Sequence, residues 1–401
     1  MRFSTNDFLY ATSYALDCVE SQVLGTTRYH SKRTGYLASL MGKALDMNEK
    51  ERLETAACAM LHDNALTEYL QLIRSGAIAH ANDIRDDFGP HCVMGERNLT
   101  KMPFYQDCTG TVLYHHEKAD GTGPFGKLPE EVPQAARLIH LADNVDTIFA
   151  LGTPDPYKYN EIRKYINDHT GTFFDEEAAG VFLDSISYED IEALKDEYVT
   201  ENLRASLPVV THEYSTAEIM DVSTMFARII DYKSRFTRTH TAGVAQKSYD
   251  MAKYYGYDDE SCAQIYLAGA LHDIGKLTID PHVLEKPDKL TDNEFEHIKT
   301  HAYETYRILS PIEGLEDITE WSSMHHEKLD GTGYPFGKSA DELNKNDRIL
   351  ACIDIYQALT EERPYKKEIS HVDAMRILYD LAGKGKLDSS IVRDLDTVFA
   401  G

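Results

Sequence analysis

The sequence predicts an all-α protein made of two tandem helical bundles. A long internal repeat, apolar residues at three-to-four spacing and a lack of alternating strand runs carry that prediction. His30 and His240 lie 210 residues apart, as do His62 and His272, Asp63 and Asp273, His91 and His301, His115 and His325, and His116 and His326. A period that long is no solenoid and marks a duplicated domain. Apolar periodicity breaks around Pro208 in "LRASLPVVTHEYS", which divides the chain into residues 1–205 and 206–401.

Within the second copy, "SCAQIYLAGALHDIGKL" sets Ile265, Ala268, Leu271 or His272, and Gly275 or Lys276 on one helical stripe. That reading puts His272, Asp273 and Lys276 on a shared helix face. "NDRILACIDIYQAL" and "HVDAMRILYDLAG" have the same period, the latter ending at a glycine stop. "DGTGYP" is turn chemistry, and Asp330 within it reads as a turn-former, not a ligand.

Composition narrows the function. Hydrophobic residues make up 42% and charged residues 27% of 401, ordinary for a globular protein. The formal charge of −26 argues against a nucleic-acid polymer, which demands a basic face. A small anion remains admissible where metal ions reverse the local sign. No apolar run nears a membrane span, the N-terminus shows no leader pattern, and the six cysteines are scattered without a CxxC pair. A cytoplasmic protein with reduced thiols is expected.

The repeated residues carry the chemistry. Burying so many imidazoles and carboxylates without a metal would leave large desolvation costs unmet. Mixed nitrogen and oxygen donors suit Fe, Mn or Zn better than Mg or Ca. Seven ligands suit two ions, with Asp273 as the natural bridge. "HDIGK" at 272–276 with "HHEKLDGTGYP" at 325–335 resembles the HD-GYP phosphodiesterases of the HD metal-dependent phosphohydrolase superfamily. The resemblance implies a helical bundle that opens cyclic di-GMP or 3',3'-cyclic GMP-AMP to the linear dinucleotide, and in some cases onward to mononucleotides.

It also implies two divalent transition metals per active site, Fe or Mn ahead of Zn or Ni. His240, His272, Asp273 and Asp354 would hold one, and His301, His325 and His326 the other, with Asp273 shared. Three-metal members have a glutamate four residues before the first histidine; here Phe236 stands there, so two ions are expected. Asp273 and Lys276 are the candidate catalytic residues. Lys276, Tyr334, Arg363 and Lys367 are candidate substrate contacts.

The first copy keeps His30, His62, Asp63, His91, His115, His116 and Asp143, a complete second ligand set. It loses the substrate side: Lys276 becomes Leu66, Tyr334 is deleted and Arg363 becomes Asp155. A degenerate, regulatory or structural first copy and a catalytic second copy are therefore expected, with input through the first copy, a protein partner or a homodimer. Two alternatives stay open, a non-catalytic cyclic dinucleotide receptor and another HD-type nucleotide phosphohydrolase. Lys276 and the intact GYP argue against the first, and GYP against the second.

Overall fold

The structure, a computed structural model, describes the chain except residues 79–86, 105, 154–155, 235–238, 287, 362–367 and 401. Phe236, Asp155, Arg363 and Lys367 lie outside the described residues. The chain forms two compact units, Thr5–Thr211 and His212–Gly401 with Met1–Ser4. The division falls beyond residue 205 because the helix Val199–Ser206 packs on the helix His30–Ala44. Both units are all-α, and among the described residues the single sheet pairs Arg2–Ser4 with Thr211–Glu213. No described helix is long and apolar enough to cross a membrane.

In the first unit, the helix Thr5–Leu24 stops at Gly25, which takes φ +80°, a conformation open to glycine. His30–Ala44 packs against Glu49–Met60 and Gln134–Phe149. A capping box starts Glu49–Met60: Asn48 accepts from the backbone of Glu51, whose carboxylate accepts from Asn48 N. Leu37, Met41, Ala56, Leu61, Leu138 and Leu141 are buried in this unit's core, each large aliphatic chain contributing about 1.5–3 kcal/mol by leaving water.

The second unit repeats the plan with Thr216–Asp231, His240–Tyr254, Asp259–Leu271, Asp292–Leu309 and Lys345–Thr360. Small residues let His240–Tyr254 and Asp259–Leu271 approach: a Cβ on Gly269 would lie 2.8 Å from Ala245 Cα. The first unit has the pair reversed, with Gly35 and Ala59 at the matching positions, and a Cβ on Gly35 would lie 3.2 Å from Ala56 O.

The "HDIGK" stretch departs from the expected continuous helix. Asp259–Leu271 ends with His272 as its C-cap, and Ile274–Thr278 is a 3-10 turn, closed by Lys276 N donating to Asp273 O at 2.9 Å. Packing dictates this. A Cβ on Gly275 would stand 2.0 Å from His301 O, so the chain tightens where it meets the helix Asp292–Leu309.

The first helices of the two units match with a different register. Asp17 Oδ1 accepts from Ser31 N at 2.8 Å, and Asp231 Oδ1 accepts from Thr241 N at 2.8 Å. Asp17 therefore corresponds to Asp231, an offset of 214, and the link to the following histidine is four residues longer in the first unit.

Candidate metal centres

In the second unit, the expected ligands converge. His240 and His301 arrive on helices, His272 and Asp273 at a helix end, His325 and His326 on the turn after Glu316–Ser323, and Asp354 mid-helix. Asp273 Oδ2 faces His272 Nε2 at 3.2 Å and His240 Nε2 at 3.9 Å. Its Oδ1 faces His301 Nε2 at 3.4 Å and His325 Nε2 at 3.9 Å. One carboxylate thus divides its oxygens between two histidine pairs. Asp354 does the same, with Oδ1 3.1 Å from His240 Nε2 and Oδ2 3.5 Å from His326 Nδ1.

The backbone orients these rings. His272, His301 and His325 each donate Nδ1–H to a carbonyl three residues back, at 2.7, 2.7 and 2.6 Å. Each Nε2 is then left as a lone pair pointing inward. His301 Nε2 and His325 Nε2 face each other at 3.3 Å, two acceptors with no proton between them. Buried His272 Nε2 and Asp273 Oδ1 also lack a hydrogen bond of ordinary geometry. Facing lone pairs and orphaned buried atoms of this kind fit divalent cations.

Burial holds His301 down to about 4 and His325 down to about 3, so both are neutral and ligand-competent near pH 7. Burial pulls His240 down too, but Asp354 and Glu361 outweigh it and lift it to about 9. Glu361 Oε2 lies 3.1 Å from His240 Nδ1 and positions the ring from behind. Sequence reasoning missed this residue because it stands seven positions beyond Asp354, on no repeated pattern.

Of the predicted substrate contacts, Lys276 pairs with Asp273 Oδ2. Tyr334 lies over the histidines, its ring 4.7 Å from His326 and 6.4 Å from His301. Asp330 accepts from Thr332 N and Oγ1 at 3.1 and 2.6 Å, making the turn. Glu327, unforeseen, ties the loop down by accepting from Phe336 N at 2.7 Å and Gly337 N at 3.0 Å.

The first unit builds a parallel centre. Asp63 Oδ2 faces His62 Nε2 at 3.6 Å, while Oδ1 faces His91 and His115 Nε2 at 3.2 and 3.8 Å. Asp143 reaches His30 Nε2 at 3.2 Å and His116 Nδ1 at 4.0 Å. Glu117 holds the glycine turn as Glu327 does, accepting from Phe125 N and Lys127 N. Leu66 is buried where Lys276 stands in the other unit. A cleft of about 640 Å³ opens over Asp63, His116 and Asp143.

Three residues of this centre lay outside the sequence reading. Phe88 sets its ring 4.6 Å from His116 and 5.8 Å from His91, the stations Tyr334 occupies in the second unit. It comes from the start of the His91 helix, so no alignment of the glycine turns reveals it. Cys92 Sγ lies 3.6 Å from His91 Nε2 and 3.8 Å from His115 Nδ1. Burial raises its thiol, but the two imidazoles win and bring it down to about 7. Glu20 Oε1 lies 3.3 Å from His30 Nε2. Its signal, a charge within an apolar helix stripe, was concealed by the shifted register.

An all-helical bundle holding His-Asp pairs on a shared carboxylate defines a class, the HD-type metal-dependent phosphohydrolases. The chain belongs to the HD domain family, whose model matches residues 17–178 and 224–391, once in each unit. Membership implies divalent metal binding. The chain is 30% identical over 371 residues, 90% of its length and 85% of the relative's, to the 3'3'-cGAMP-specific phosphodiesterase 1 of Vibrio cholerae. It is 34% identical to the cyclic di-GMP phosphodiesterase PA4108 of Pseudomonas aeruginosa over 149 residues, 37% of this chain and 36% of that one. In fold it is similar to the crystal structure of V-cGAP3, a cyclic GMP-AMP specific phosphodiesterase of V. cholerae, with TM-score 0.68 and 21% identity, covering 100% of this chain and 98% of that one.

Proposed function

We propose that the second unit is a phosphodiesterase opening a cyclic dinucleotide, cyclic di-GMP or 3',3'-cyclic GMP-AMP, in the cytoplasm. The observation that carries this reading is the division of Asp273's two oxygens between His240/His272 and His301/His325. Two divalent cations, Fe or Mn ahead of Zn or Ni, would be held there by those residues with His326 and Asp354. When bound, they supply Lewis acidity and an activated water for attack at phosphorus.

The chain's own groups do the rest. Lys276, held beside Asp273, offers an ammonium to charge developing on the phosphoryl oxygens. Tyr334 presents a half-buried phenol whose pKa burial pushes above its ordinary value, so it stays protonated and can donate to a phosphate or stack on a base. Arg363 and Lys367 are proposed to meet the second phosphate. The first unit, with ligands kept and Lys276 replaced by Leu66, is proposed as a metal-holding, non-hydrolytic half that supports or regulates the second. A protein partner or a second copy of the chain is a further route for regulation.

Chromatography of products after incubation with each cyclic dinucleotide, in Fe(II) and in Mn(II), tests the reading. A linear dinucleotide from at least one substrate is expected, and Asp273→Ala should abolish it while lowering metal content. Turnover surviving Asp273→Ala near the wild-type rate would overturn the assignment. Binding of both substrates with no product in either metal would favour a receptor.

A further inference from the structure

The geometry points to Glu20 as an added metal ligand that closes the coordination sphere in the first unit and makes its centre a structural one. The inference rests on the reading that this unit holds divalent metal, and it concerns a residue outside the repeated set. Glu20 is 2% exposed at the end of the helix Thr5–Leu24. Its Oε1 lies 3.3 Å from His30 Nε2, which Asp143 Oδ1 approaches at 3.2 Å from another element. Glu20, His30 and His62 each offer a ligand atom, and the three atoms lie within 4.8 Å of one another.

Carboxylates aimed at one buried imidazole nitrogen repel each other unless a proton or a cation stands among them. His30 cannot answer both with protons, because its Nδ1 already faces Asp146 Oδ2 at 2.6 Å. A divalent ion satisfies the whole group at once.

The second unit shows what the alternative looks like. With Asp17 matched to Asp231, Glu20 corresponds to Ser234, a buried residue with no charge to offer. Glu20 also lines the 640 Å³ cleft together with Asp63, His116 and Asp143, so it occupies the side from which a ligand would approach. Catalytic metal sites keep a position open for water or substrate, whereas structural sites fill it with protein. Glu20 fills it here. Retained ligands and discarded substrate contacts then have one cause, a site kept for holding metal and closed to chemistry.

The test compares wild type, His30→Ala, Glu20→Gln and Glu20→Asp as full-length chains, by elemental analysis and by the rate of metal release to a chelating dye. His30→Ala should lower metal content, with the second unit's ions remaining. Unchanged content in His30→Ala would show that the first unit holds no metal there, and would sink the underlying reading itself. Glu20→Gln should lose an ion or release it at least tenfold faster, and Glu20→Asp should restore part of the difference. Metal content and release matching wild type in Glu20→Gln, with His30→Ala depleted, would reject Glu20 alone.

Thermal melts separate a ligand from a packing residue. Glu20→Gln should lower the melting temperature of loaded protein and change that of stripped protein little, because without metal burial keeps the Glu20 carboxyl protonated and the amide has the same shape. A lowered melting temperature in both forms would mean that Glu20 serves packing only.

Discussion

Lys276 is the residue whose replacement most cleanly separates chemistry from metal holding. Its ammonium touches Asp273 but is not itself a donor to metal. Lys276→Ala should retain metal and lose turnover by about 10²–10³-fold, the usual cost of removing one positioned electrostatic group; metal assay beside kcat checks both. Asp347 offers a test of stability well outside the centre. It closes the cap of Lys345–Thr360 by accepting from Asn344 N at 2.8 Å, and burial pushes its carboxyl up to about 7. Below about pH 4 both the folded and unfolded states hold that proton. Between there and 7 the unfolded chain releases it and the folded chain keeps it, so stability falls as pH rises. Asp347→Asn should therefore raise the melting temperature at pH 8 and change it little at pH 4. An equal shift at both values would remove the titration argument.

At the scale of elements, the close approach of the "HDIGK" turn to the His301 helix decides where three ligands stand. Thr305 Oγ1 accepts from Gly275 N at 3.1 Å and donates to His272 O at 2.9 Å, binding turn to helix. Gly275→Ala would drive a methyl into His301 O, so His301 and Asp273 must separate. A loss of about 1–3 kcal/mol, seen in chemical denaturation, should accompany reduced metal content. The first unit accommodates Ala65 at the matching position, and there the glycine has moved to the facing helix as Gly95. Much of this was legible in the sequence: the repeat, the helical stripes, and seven candidate ligands in each copy whose side chains the structure brings together. The 3-10 turn was not, because a local stripe cannot register the backbone of His301 arriving from 26 residues downstream. Glu361, Glu20 and Phe88 escaped for a related reason, since each reaches the centre from a position outside the shared offset.

The whole molecule carries a charge of −26 while its proposed substrate is an anion. Encounter is then opposed at long range and favoured only close to the cations. KM should fall as ionic strength rises from about 0.01 to 0.15 M, as the screening length drops from about 30 to 8 Å. A KM that climbs over that range would point to a basic entry path. Two centres in one chain also predict separable metal inventories. Replacing His115 and His116 together by alanine should lower total metal and the melting temperature, since an ion that binds only the folded state stabilises it. The ions proposed to sit at His325 and His326 should remain. Unchanged metal content and melting temperature would make the first centre a polar core without metal.

Phe88 changes what counts as a missing part. The first unit has deleted the tyrosine of its glycine turn, yet an aromatic ring still lies over His116 and His91, delivered from the start of the His91 helix. The loss is therefore one hydroxyl group, not one ring. Inheritance along the chain and occupancy in space have come apart here, and a gap in a motif measures only the first. Duplicated proteins scored by their surviving signatures will be judged more decayed than they are wherever a neighbouring helix has supplied the same atoms by another route.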